Sequence, residues 1–466
     1  MNDISKKHRP QGKPGCTPAN SLPVIHPNCA GIDIGSQSHF VAVPIDRDEK
    51  SVREFLGFTA DLQEMVDWLK KCRIEIVALE STGVFWIPVF EMLDQNGFKV
   101  KLVNARHLKN VSGHKTDVED CQWLQQLATF GLLKAAFRPE DNVVALRSYL
   151  RHRDNLIKCA AQHIQHMQKA LTQMNVLLDN VISDITGKTG MDIIRSIVAG
   201  VRDPKILASF RDGRCHNSEE TIMKSLVGNY REEHVFSLRQ ALDLYDTYSK
   251  MIAECDKAIL AQVKKLESKP IEETALKENG SKIRTKTRKK KKLKKHEYPL
   301  EMGEELIRIT GTNLTKLPGI DVSSALALIG EIGIDMSPWR SAKAFASWLG
   351  LCPGNKVSGG KRLSGKTKQC ANRAAVILRM SASTLYASDK ALGAFLRKMK
   401  MRLGSPKAIT ACAHKLAKQL YCTLKYGREY VEKGAEFYEA MYRERKEASI
   451  KRKAAEMGYE LVPIAT

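Results

Sequence analysis

No apolar run in this 466-residue chain approaches the roughly twenty residues that a membrane-crossing helix needs. The start, "MNDISKKHRPQGKPG", lacks the apolar core of a secretory signal. Eleven cysteines are scattered without one CxxC pair, which argues against both a disulfide framework and a zinc ribbon. Together these absences lead us to expect a soluble, cytoplasmic protein in a reducing compartment, with no membrane partner. Acidic residues are also in short supply. Lys and Arg number 75 against 52 Asp and Glu, giving a formal charge of +23 and a pI near 9.5. Such an excess points to a polyanion, most simply nucleic acid. Residues 281–295, "SKIRTKTRKKKKLKK", hold ten Lys or Arg and no acid. The rest of the chain still keeps +13, so one basic tail does not explain the excess.

The chain reads as successive blocks. Residues 1–27 are rich in Pro, Gly, Lys and Ser and form an expected flexible tail. An α/β domain follows over 28–140. In it "CAGIDIG" and "HFVAVPI" pair as strands, "TADLQEMVDWLKKC" is a helix and "IEIVALE" a strand. "VFWIPVFEMLDQNG" is then a helix, "FKVKLVN" a strand and "TDVEDCQWLQQLATFG" a capped helix. From Val143 to Leu178 residues recur at alternating spacings of three and four, all apolar except Arg153. A second seam runs from Leu238 to Leu266. These are coiled-coil signals over 141–272, with a compact tip inserted at 183–230. Two such helices fold back as a hairpin or pair with another protomer. A basic linker (273–298), a mostly helical domain (299–450) and a short tail (451–466) complete the chain.

Chemistry concentrates in two places. Asp33 lies mid-strand in "GIDIGSQSHFVAV", and burying a carboxylate is costly unless a metal, a basic partner or a nearby phosphate compensates. Glu80 ends the strand "IEIVALE", while Asp117 and Asp120 lie three apart at a helix start and so share a face. If the strands of Asp33 and Glu80 are neighbours, all four converge at one sheet edge. Like charges so placed raise one another's pKa, and a hard divalent cation relieves them. Mg²⁺ is the natural occupant, and a pair of ions would clamp the entering and leaving oxygens of a phosphodiester. The plain alternative is that Asp117 and Asp120 favour a helix N-terminus and Glu80 is a surface residue.

The second place is "GNKVSGGKRLSGKTK". Gly359 and Gly360 let backbone approach a phosphate, and Lys356, Lys361, Arg362 and Lys366 supply countercharge. A hydroxyl there can attack a phosphodiester and hold the strand covalently. Ser358 and Ser364 both qualify, and a phosphate-contacting loop without chemistry is the bland reading. The run "TRKKKKLKK", with Arg288, Lys289, Lys290, Lys291 and Lys292, adds sequence-independent affinity for nucleic acid that falls with salt. The Pro318-Gly319 turn reads equally as a phosphate-binding helix-hairpin-helix or an ordinary corner.

The order of Asp in "GIDIG", Glu in "ALESTG" and then "KTDVED" resembles the Asp-Glu-Asp-Asp transposases of bacterial insertion sequences. "LPGIDVSSALALIGEIG", "FASWLGLCPGNKVSGGK" and "AHKLAKQLY" resemble their second domain, so the likeness spans most of 29–430. The resemblance implies a RuvC-like (ribonuclease H) first domain and a helical transposase domain. It implies an RNA-guided recombinase in which a noncoding bridge RNA pairs with both target and donor DNA. It assigns Asp33, Glu80, Asp117 and Asp120 to the four acidic positions, with Mg²⁺, and Ser358 to the nucleophile. It further implies a homo-oligomer, a dimer or a tetramer in the synaptic complex, in the bacterial cytoplasm at the nucleoid. The tip and the basic run exceed the family's compact form. Other classes remain to be weighed: a hydrolytic RuvC-like nuclease or junction resolvase without covalent intermediate, and a non-catalytic nucleic-acid scaffold. A sugar-kinase or actin-like ATPase would need a second Asp-x-Gly phosphate loop, which is not found.

Overall fold

The computed structural model describes residues 23–81, 83–104, 116–270, 295–368, 372–427, 434–460 and 462. It divides into two compact units, 1–138 and 139–466. Among the described residues no helix is long and apolar enough to cross a membrane.

The first unit is built on a five-stranded mixed sheet. The strands β1 (Cys29–Ile34), β2 (Ser38–Ala42) and β3 (Val52–Leu56) form an antiparallel meander. After helix α1 (Thr59–Lys71), β4 (Ile76–Glu80) returns to lie parallel to β1. After α2 (Trp86–Gln95), β5 (Lys99–Val103) lies parallel to β4. The spatial order is β3-β2-β1-β4-β5. β3 was not expected from sequence. It is a short edge strand, Val-Arg-Glu-Phe-Leu, of which Phe55 alone is buried.

Alternation along the strands sorts the two faces. Ala30, Ile32, Val77, Leu79 and Leu102 pack with Met65 and Leu69 of α1 and Val89 and Leu93 of α2. Cys29, Ala78 and Val103 face the other way, onto Leu124 and Ala128 of α3 (Asp117–Thr129). The expected capped helix is seen there: the Thr116 hydroxyl accepts from the Glu119 amide at 3.3 Å. The last residues of the expected tail are tied down, since the Ile25 and His26 amides both donate to the Thr129 carbonyl at 2.9 Å.

In the second unit the long helices α4 (Asp141–Gln173) and α5 (Glu232–Lys265) run antiparallel as an intramolecular hairpin. Each heptad seam thus finds its partner within the chain. Arg153, the polar exception, is buried and explained. Its guanidinium pairs with Asp256, donates to the His296 carbonyl at 3.0 Å and lies 4.2 Å over the Tyr298 ring. Short helices between Leu178 and Ser225 form the tip, centred on buried Ile193, Ile197, Leu207 and Ile222. The remaining helices, from Leu300–Thr310 to Ser405–Tyr426, surround Phe345 and Tyr421, whose hydroxyl donates to the Trp339 carbonyl at 2.8 Å.

Candidate active site

Register places the first two carboxylates. Ile32 of β1 pairs with Leu79 of β4 in parallel, so the next residues, Asp33 and Glu80, lie side by side at the carboxyl ends of the central strands. Alternation turns both toward the face that carries α3. Gly31 brings the helix down onto that face. A Cβ at Gly31 would stand 2.4 Å from both the Cys121 carbonyl oxygen and the Gln125 amide nitrogen of α3. Only glycine permits so close an approach, and the first turn of α3 carries Asp117 and Asp120.

The electrostatics register this convergence. The Asp33 carboxyl is pushed from 3.8 up to about 6, first by burial and then by the charges of Asp117, Glu80 and Asp120. The Ile34 amide offsets part of the rise by hydrogen bonding to it. Beneath it the buried Cys121 thiol is driven up to about 12 by burial and by Asp33 itself, and Cys29 likewise reaches about 12. Burial thus keeps both thiols protonated in the metal-free protein. The donor set at this edge is carboxylate oxygen, which suits a hard divalent cation. Among the described residues no group of three or more His, Cys, Asp or Glu stands close enough together to hold a metal ion. The four acids sense one another without converging to coordination distance, as mutual repulsion favours.

The serine segment is an ordered β-hairpin. β6 (Lys356–Ser358) and β7 (Lys361–Ser364) pair antiparallel, with Ser358 opposite Lys361 and Lys356 opposite Ser364. Gly359 and Gly360 make the two-residue turn with φ of +53° and +75°, the conformation such a hairpin demands. Ser358 is exposed at the turn. The Ser364 hydroxyl, by contrast, accepts from the Lys366 amide at 3.3 Å. Val357 and Leu363 are exposed on the same hairpin. The carboxylates lie in the first unit and the hairpin in the second.

Pro318-Gly319 is a packed corner. Gly319 has φ +75°, and a Cβ there would stand 2.5 Å from the Ser381 carbonyl. The following helix N-terminus is occupied by Asp321, which accepts from the Ser324 amide at 2.7 Å. A carboxylate in that position repels a phosphate, so the phosphate-binding reading of this turn loses support. Arg288, Lys289, Lys290, Lys291 and Lys292 lie outside the described residues.

Gly31 was missed by sequence reasoning as a site residue, although its place two residues before Asp33, on the same strand face, was a usable signal. Comparison with known families adds independent information. A family model described as a transposase, of the Asp-Glu-Asp-Asp type of IS110, matches residues 30–176. A second, described as "Transposase IS116/IS110/IS902 family", matches residues 311–396. The first span contains all four acids and the second contains the Ser358 hairpin; together they cover half of the chain. No curated protein matches the chain.

Proposed function

Because the chain belongs to the IS110-type insertion-sequence transposases, enzymes acting on DNA, we propose that it is an RNA-guided recombinase joining target and donor DNA through a serine–DNA intermediate. The strand order β3-β2-β1-β4-β5, with β1, β4 and β5 parallel, supports a RuvC-like ribonuclease H reading of the first unit. One observation carries the site: the parallel register sets Asp33 beside Glu80 at one sheet edge, where burial first, and then the charges of Asp117, Glu80 and Asp120, hold the Asp33 carboxyl up at about 6.

Asp33, Glu80, Asp117 and Asp120 would hold Mg²⁺. When bound, the cation supplies charge stabilisation to the phosphate and neutralises the acids. The chain's own residues do the rest. The Ser358 hydroxyl, carried on a glycine turn open to solvent, attacks phosphorus. A new Oγ–P bond replaces one P–O bond to deoxyribose, and the hydroxyl proton ends on the departing sugar oxygen. Phosphodiester number is conserved, so the reverse attack by a different DNA end rejoins strands without an energy source. Lys361, opposite Ser358 on the hairpin, would countercharge the phosphate, with Lys356, Arg362 and Lys366 nearby in sequence. Gly359 and Gly360 leave the backbone uncovered for close approach. The excess of 75 Lys and Arg over 52 acids supports holding guide RNA and two DNAs at once.

The reading is tested by co-expressing the protein with its native flanking DNA, sequencing bound RNA, and then trapping the DNA adduct. One RNA species from the flank and a denaturation-resistant adduct, absent in Ser358→Ala and present in Ser364→Ala, are the expected results. Cleavage that survives Ser358→Ala without any adduct would instead identify a hydrolytic nuclease using water.

A further inference from the structure

We propose that the turn after β4 is an apolar stacking knuckle, led by Phe85, that takes an unpaired nucleobase beside the carboxylates. The inference rests on the reading of Asp33 and Glu80 as the phosphodiester-engaging site, and it names the form of strand that site accepts.

Three observations carry it. First, within four residues Val84, Phe85 and Ile87 expose 66, 47 and 38 % of their surface, while the residue between, Trp86, packs inward on the sheet core and meets Phe90 edge-to-face at 5.9 Å. A single exposed apolar side chain is ordinary, but three within four residues, beside one anchored tryptophan, concentrate apolar surface at this turn. Second, the patch is fixed in place. Gly83 takes φ +59°, and a Cβ on it would lie 3.5 Å from the Phe85 ring, so the ring rests against the glycine. The Ser81 amide and hydroxyl both bond the Val103 carbonyl, at 2.9 and 3.1 Å, pinning the start of the turn to β5. Third, the patch begins four residues after Glu80, at the carboxyl edge that presents Asp33.

The occupant follows from chemistry. An apolar surface beside a phosphodiester site gains nothing from phosphate or sugar. The part of a nucleic acid it can cover is a base face, and base faces are open only where a strand is unpaired or a step is pried apart. A rigid aromatic with flanking aliphatic side chains is the sequence-tolerant way to hold one. The carboxylates would then see a scissile phosphate whose neighbouring base is already out of the stack.

The test uses full-length protein and a DNA strand carrying 5-iodouracil, offered as a single strand and as a matched duplex. Irradiation followed by peptide mapping is expected to label Phe85 with the single strand and not with the duplex. Phe85→Ala should abolish that label and weaken single-strand binding about 5- to 100-fold, leave duplex binding unchanged, and be rescued by Phe85→Trp. Labelling elsewhere or nowhere, or equal loss on both probes, overturns the proposal. So does a Phe85→Ala change in oligomeric state without a change in binding, which would make the patch a protein interface. Asp33→Ala is run in parallel. Cleavage that survives it refutes the carboxylate reading, whereas cleavage lost with Phe85 unlabelled refutes the knuckle alone.

Discussion

Replacing Asp33 by Asn should stabilise the metal-free protein while removing its activity. The folded protein holds the Asp33 carboxyl at about 6 against an ordinary 3.8. Each pKa unit corresponds to about 1.4 kcal/mol, so the shift sets a ceiling of about 3 kcal/mol. Asp33 is only partly buried, and solvent screening reduces the effect to about 1–2 kcal/mol. The sign follows from proton counting. Between about pH 4 and 6 the folded state keeps a proton that the unfolded state has released, so stability falls as pH rises through that window. Above it the penalty is fully in force. Asparagine has no proton to lose and escapes it. Thermal melts in chelator should therefore show Asp33→Asn above wild type by a few degrees at pH 7.5 and by about half as much at pH 5. Saturating Mg²⁺ should raise wild type and leave the variant in place, closing or reversing the gap. Hydrogen exchange in β1 and α3 peptides should report the same order locally. A variant less stable than wild type in chelator at pH 7.5, or a gap independent of pH, would refute the claim that burial and the neighbouring acids hold the Asp33 carboxyl up at this edge.

Two further outcomes follow from packing. Gly31→Ala should cost about 1–3 kcal/mol in urea unfolding, because its Cβ meets helix backbone that cannot rotate away. It should also depress DNA cleavage with all four acids intact, while Gly213→Ala, which meets nothing within 4 Å, changes neither. Arg153→Ala leaves the partly buried Asp256 without its guanidinium and the His296 carbonyl without a donor. It should destabilise the second unit by about 3 kcal/mol, and Arg153→Met combined with Asp256→Leu should recover most of that loss in the same urea titration.

What was legible in the sequence was whatever depended on one segment at a time. Period-two alternation revealed β1, β4 and β5, and Thr116 announced the start of α3. β3 escaped because an edge strand needs only one buried side chain, and Phe55 alone makes no pattern. The seams of α4 and α5 were visible, but whether they met each other or another protomer was not. That choice depends on three-dimensional matching such as Arg153 to Asp256, separated by 103 residues. In the same way the serine segment read as a loop because three- and four-residue strands carry no detectable period.

The least legible features are those in which one residue acts for another. Asp33 stood out because a carboxylate between isoleucines breaks a rule locally. Gly31 breaks none; its role appears only when the Cys121 and Gln125 backbone arrives 90 residues later in the chain. The knuckle was hidden for a related reason. The pattern of "VFWIPVFEML" reads as helix from Val84, whereas α2 begins at Trp86, and those two residues decide whether Phe85 packs or projects. Gly83 at φ +59° delays the helix, and Trp86 rather than Phe85 takes the inward position. A chain selected only for stability would gain by burying that phenylalanine. The joint exposure of Val84, Phe85 and Ile87 within a few residues of Glu80 is what calls for a binding explanation, and a base face is the apolar surface that a DNA-processing site is certain to meet.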